Sequence, residues 1–260
     1  NRHDDVMLRH VTVSLDNKQM DLLVRVINKS ARKKRLQRAS STHSSSIVNG
    51  IEGLYDEIEI REQLRHPNIL SLYAVRDTQP CILLFEEWCD KGPCLVRTDD
   101  VGFEMPDTEE NHYSEEELAH IFWDACNGLY YLHEKQICHL NIRPDYFIRD
   151  SKGTVKLAGF SHICNISNDL FGGLRECFDG DTRFQAPECW KDGLFSSYSA
   201  DLWSMGVCLY YLTFGKSPIL YTNIIDLITN IKSYNVLPKM EGISVELENL
   251  LSAMLNPDVA

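Results

Sequence analysis

"HLNIRPDYF", residues 139 to 147, sets a histidine, an asparagine, an arginine, an aspartate and a tyrosine within nine positions. A loop so furnished has the groups to orient a hydroxyl, hold a charge and approach a cation. The residue types limit that chemistry. The amide of Asn141 takes no proton at neutral pH, so it orients a hydroxyl without serving as a base. Arg143 is a permanent cation. The phenol of Tyr146 is bulky and neutral, with a reference pKa near ~10. It makes a poor ligand for a small hard cation, which prefers oxygen anions at tight geometry. The run "VKLAGFS" follows shortly, and its Gly159 offers no carboxylate. Asp145 and Asp150 lie nearby, and Asp145 reads as a solvated loop acid.

The elements that must position these residues follow from periodicity. "HVTVSL" (10–15) alternates and "MDLLVRVI" (20–27) is an apolar run, with turn residues Asp16 and Asn17 between them, so a hairpin is expected. "ARKKRLQRASSTHSSS" (31–46) is basic, then serine-rich, with little to bury, and reads as an exposed loop. Leu54, Ile58 and Leu64 mark one face of a helix that stops before Pro67. "ILSLYAVRD" and "CILLFEEW" are further strands, and residues 90 to 112 are acidic and irregular. Ser114 with Glu117 forms a capping box opening "EEELAHIFWDACNGLYYLHEKQ". Helices then dominate: "SADLWSMGVCLYYLTFG", "IIDLITNIKSY" and "SVELENLLSAML". Strands with one helix first, then mostly helices, make an α+β, two-lobed plan.

Composition narrows the function class. The chain has 260 residues and a net charge of −12. That balance argues against general nucleic-acid binding, which needs a basic footprint. No apolar stretch reaches the ~18 residues of a membrane span. The first residues carry no signal-peptide pattern. Nine cysteines are scattered without a C-x-x-C pair, so they read as reduced core filler in the cytoplasm or nucleus rather than a disulfide framework or zinc site.

The order of elements, with "RHPNIL" (65–70), "YYLHEKQICHLNIRPDYFI", "APE" (186–188) and "DLWSMG" (201–206), resembles the eukaryotic protein kinase family over nearly the whole chain. The resemblance implies a strand-rich N-lobe over residues 1–87 and a hinge with a helical C-lobe over 88–260. Phosphoryl transfer requires a positioned nucleotide, metal ions on its phosphates and a base aimed at the acceptor hydroxyl. By resemblance, Arg25 stands for the strand lysine and Glu57 for its helix partner. Phe85 stands at the gatekeeper position, and Glu86 to Cys89, Trp88 included, at the hinge of a nucleotide pocket. Asn141 replaces the catalytic aspartate, Arg143 the loop lysine, Tyr146 the metal-binding asparagine and Gly159 the metal-binding aspartate. The glycine-rich loop should fall near residues 3 to 9, yet Gly50 is the first glycine. Either that loop is degenerate or the chain begins inside it.

These departures imply a pseudokinase: no intact catalytic residue, no metal site, and no cofactor beyond weak, magnesium-independent ATP. The expected role is a scaffold or allosteric regulator of a protein partner such as an active kinase. Two alternatives are an atypical active Ser/Thr kinase and an ATP-sensing module that binds without catalysis. Leu140 replaces an arginine that often binds an activating phosphate, so the usual switch is not expected. Asp181 and Arg143 are expected to pair across the catalytic loop. Glu188 is expected to lack its usual arginine partner. The basic loop reads as solvated, although "RKKR" also suits nuclear import or an acidic partner. The expected location is the cytoplasm, with the nucleus left open.

Overall fold

The computed structural model describes residues 5–15, 18–32, 51–98, 102–104, 113–167, 173–175, 180–191, 193–235 and 237–257. The basic and serine-rich stretch from 33 to 46 and the turn residues Asp16 and Asn17 lie outside them.

The first hairpin forms as the alternation predicts, β1 (Val6–Leu15) pairing antiparallel with β2 (Lys18–Asn28). Helix α1 (Glu52–Glu62), β3 (Leu72–Asp77) and β4 (Cys81–Glu87) follow, and the sheet order is β1-β2-β4-β3. Ile82, Leu84 and Glu86 are the buried positions of β4, the period of two expected of a strand with one face inward. Ile27, Leu54, Ile58, Leu72, Ile82 and Leu84 form a small apolar core between sheet and helix. Of the stretch near residues 3 to 9 where a phosphate-cradling loop is expected, residues 3 and 4 lie outside the described residues. Val6 to Arg9 are strand, bonded to β2 with Leu8 opposite Arg25, and the side chains of Met7 and Leu8 are exposed.

A second and larger core takes in Leu64, Ile69 and Leu70 ahead of β3 and includes Leu118, Phe122, Leu129, Phe147, Met205 and Leu209. After β5 (Gly92–Pro93), helix α2 (Glu115–Glu134) opens on the capping box that Ser114 and Glu117 predict. Its first-turn acids complement the helix dipole. Strands β6 (Ile137–Cys138), β7 (Phe147–Arg149), β8 (Val155–Leu157) and β9 (Cys164–Asn165) frame the candidate loop. Helices α3 (Ser197–Phe214), α4 (Ile224–Lys232) and α5 (Val245–Met254) complete the described chain. Helix α3 is buried almost all round, the pattern of a central helix.

"HPNIL" couples the two cores. Leu70 N donates to Leu157 O at 2.9 Å, Leu157 N to Asn68 O at 2.9 Å, and the Asn68 side chain to Val155 O at 2.9 Å. The result is the expected α+β architecture, strand-rich first and helical second. No helix among the described residues is long and apolar enough to cross a membrane.

Candidate functional site

Strand β6 delivers the chain to the loop, and α3 fixes the loop's backbone. Asp201, fully buried near the start of α3, accepts from His139 N at 2.8 Å and from Leu140 N at 2.8 Å. Its Oδ2 also lies 3.0 Å from His133 Nε2. These bonds hold Leu140 at φ +54°, a conformation that costs an L-residue about 1–2 kcal/mol. The loop's shape is therefore maintained by an anchor that the motif "DLWSMG" suggested only as a helix start. His133, Cys138 and Asp201 gather ligand atoms within 4.8 Å, but both oxygens of Asp201 are already engaged in holding the loop.

His139 is buried, and burial pulls its imidazole below the ordinary range. Its Nε2 lies 2.9 Å from Ala158 O, and Asn141 N donates to its Nδ1 at 3.2 Å. A neutral ring with the proton on Nε2 satisfies both bonds. Asn141 spends its amide hydrogens on Gly159 O at 3.2 Å and Ser161 Oγ at 3.1 Å. It staples the loop to the segment after β8 and offers no acceptor of basic strength.

Tyr146 closes the short 3-10 turn Pro144–Tyr146, and its ring lies against Gly159. A Cβ built on Gly159 would come within 2.5 Å of the ring carbons, and Gly159 adopts φ +81°. The two residues the resemblance places on metal are thus packed onto each other. Burial pushes the Tyr146 hydroxyl above its usual value, so it stays protonated. The Arg143 guanidinium stacks over the same ring at 4.2 Å.

Arg143 does pair with Asp181, at 3.4 Å. Its closer partner is Asp145, held bidentately at 2.7 and 3.1 Å. Asp145 is therefore no solvated loop acid. Its side chain is 13% exposed, and burial raises its pKa despite the adjacent arginine. Asp181 in turn has its tightest bond to Arg183, at 2.6 Å, and caps the turn Thr182–Phe184. Burial disfavours its charge, but Arg183 outweighs it and holds the carboxyl low.

Between the sheet and α1, Arg25 on β2 donates to Glu57 on α1 and, at 3.2 Å, to Glu86 on β4. Arg61, one turn along α1, contacts Glu57 at 3.3 Å and donates to Glu86. Burial opposes the charge of Glu57, but Arg25 and Arg61 overcome it and keep its pKa low. Burial likewise opposes the charge of Arg25, and Glu57 and Glu86 raise its pKa. Here the sequence expectation is off by one residue. Phe85 stands opposite Val24, on the face turned away from Arg25, while Glu86 takes the inward, gatekeeper-like place. Trp88 stacks on His10 of β1, centroids 4.1 Å apart. Sequence reasoning missed Arg61 altogether. Its spacing of four from Glu57 was the available signal.

Glu188 makes no ion pair among the described residues, and burial raises its pKa. No disulfide joins the described cysteines.

A model of the protein kinase domain matches residues 22–260. Among curated proteins, the chain is 29% identical over 209 residues to the serine/threonine-protein kinase RUNKEL of Arabidopsis thaliana. That alignment covers 78% of this chain and 14% of the relative. It is also 29% identical over 223 residues to a calcium/calmodulin-dependent protein kinase kinase of Caenorhabditis elegans, covering 82% of this chain and 38% of the relative. A third relative, the mouse serine/threonine-protein kinase SIK1, is 29% identical over 174 residues, 65% of this chain and 20% of that protein. The chain thus spans well under half the length of these relatives.

Proposed function

Because the chain belongs to the protein kinase domain family, we propose that it is a pseudokinase within that family, transferring little or no phosphate and acting as a scaffold or allosteric regulator. The observation that carries this reading is the Tyr146 ring packed on Gly159. Phosphoryl transfer relies on metal ions to neutralise the developing charge. Here a neutral phenol and a glycine stand at the two metal positions, and the ring fills the space a carboxylate would need. Asn141, committed to Gly159 and Ser161, adds the loss of a base.

An active kinase suits, as partner, a domain that keeps the family's shape. A net charge of −12 disfavours nucleic acid, and the cytoplasm suits scattered, unbridged cysteines. Nucleotide, if bound, binds weakly and without a magnesium requirement. If phosphate were transferred, the relatives' names point to serine or threonine as acceptor.

The test is incubation with radiolabelled ATP, magnesium or manganese, and mixed protein acceptors. The expected result is no incorporation above a heat-killed control. Incorporation that disappears in Arg25→Ala would overturn the reading.

A further inference from the structure

We infer that Glu86 and Arg61 act as one unit between the sheet and α1, holding α1 to the sheet without nucleotide and making Glu86 the residue that turns polyanions away from Arg25. The inference deepens the pseudokinase reading at the same site, but stands on separate residues.

Four charged side chains meet there: Arg25 from β2, Glu57 and Arg61 from α1, and Glu86 from β4. Glu57, Arg61 and Glu86 are 1%, 2% and 4% exposed, so water does little of the neutralising. Both carboxylates contact both arginines, and the formal charges sum to zero. Such a closed set is stable as a unit, whereas removing one member strands a buried charge. The Nε atoms of Arg25 and Arg61 have no hydrogen-bond partner, so the cluster carries a standing desolvation cost. Its charges cannot be thinned cheaply.

Arg61 and Glu86 make sense only together. Arg61 lies over the Phe160 ring at 4.8 Å and reaches Leu70 O at 3.4 Å. It thereby ties α1 to the residue following Gly159 as well as to the sheet. Without Glu86, a guanidinium would sit between an aromatic ring and an apolar core with only half its compensation. Without Arg61, Glu86 and Glu57 would face each other across a single cation, Arg25.

The consequence for ligands follows from charge. A phosphate chain approaching Arg25 meets a cation already shared by two carboxylates. Binding would require displacing Glu57 or Glu86, or placing phosphate beside them at close range, where like charges repel strongly in a low-dielectric site. Arg25 alone, by contrast, would attract phosphate.

Thermal unfolding and ATP binding in EDTA would be measured for the native chain, Arg61→Leu, Glu86→Met and the double variant. Each single variant should melt several degrees lower, and the double should regain most of the loss. The double should bind ATP at least tenfold more tightly than the native chain. Glu86→Gln, which keeps shape and removes charge, supplies a folded intermediate should a single variant fail to fold, and it too should gain affinity. Strictly additive losses, or unchanged ATP affinity in both the double variant and Glu86→Gln, would overturn the inference. Phosphate transfer by the native chain would refute the pseudokinase reading and leave this one standing.

Discussion

An alanine at position 159 would have to hold φ near +81° and displace the Tyr146 ring. The conformation costs about 1–2 kcal/mol and the overpacking about 1–3 kcal/mol. Gly159→Ala should therefore lose roughly 2–5 kcal/mol in urea denaturation, by the sum of those terms. In a Tyr146→Ala background the overpacking disappears, and the penalty should fall to the conformational part. Equal penalties in both backgrounds would show that the ring does not occupy that space. The loop's charges make a second residue-scale case. Arg143 is bidentate with Asp145 and touches Asp181 at a longer distance. A double-mutant cycle should give a larger coupling for Arg143 with Asp145 than for Arg143 with Asp181. The sequence showed that Arg143 and Asp181 were complementary. It did not show that Asp145, two residues away, folds back to take the closer bond, because that depends on the turn at Pro144–Tyr146.

At the scale of elements, α3 holds the loop through Asp201 and β4 fixes which residue meets Arg25. Removing Asp201 leaves one buried and one partly buried backbone amide without their acceptor, each costing up to about 1–3 kcal/mol. Asp201→Ala should lose roughly 3–5 kcal/mol, as for a broken buried ionic network, with hydrogen exchange accelerated at His139 and Leu140. Intact protection there would place the loop's support elsewhere. Glu188, in the turn Pro187–Trp190, gives a pH-dependent prediction. Its folded pKa is raised by burial, so the folded state holds the proton more tightly than the unfolded chain. The associated stability is complete below the unfolded carboxylate pKa of about 4.3 and is lost as pH rises through the folded value. Glu188→Gln should therefore stabilise the protein at pH 7 and have little effect at pH 4. The reverse pattern would mean that a cation satisfies the carboxylate. Most of these elements were legible in the sequence. The hairpin, the capping box at Ser114 and the late helices follow from alternation, cap chemistry and apolar runs. The strand face was not. "LLFEEW" contains two glutamates after a phenylalanine, and a period of two cannot say which parity faces inward until the register with β2 is known. That one-residue ambiguity exchanged Phe85 for Glu86.

For the whole molecule, two cores joined through "HPNIL" preserve the family's architecture while the residues that would manage metal and proton have other duties. Asn141 staples, Tyr146 fills, Glu86 neutralises. The motifs made the missing carboxylates visible in the sequence, since an absent side chain needs no structure to be noticed. The replacements' new partners were not visible, because each lies more than ten residues away in the chain: Tyr146 with Gly159, Asn141 with Ser161, Arg61 with Glu86. The metal question is tested by thermal unfolding of the native chain at one fixed ATP concentration, in EDTA and in excess magnesium. A ligand at 100 times its Kd stabilises by about 2.7 kcal/mol, or roughly 5–11 °C for a domain of this size at ~2–4 °C per kcal/mol. The prediction is a shift that is small and the same in both solutions. A rise of several degrees that requires magnesium would mean that the protein holds a metal–nucleotide complex, and would contradict the assignment of Tyr146 and Gly159 as a filled metal site.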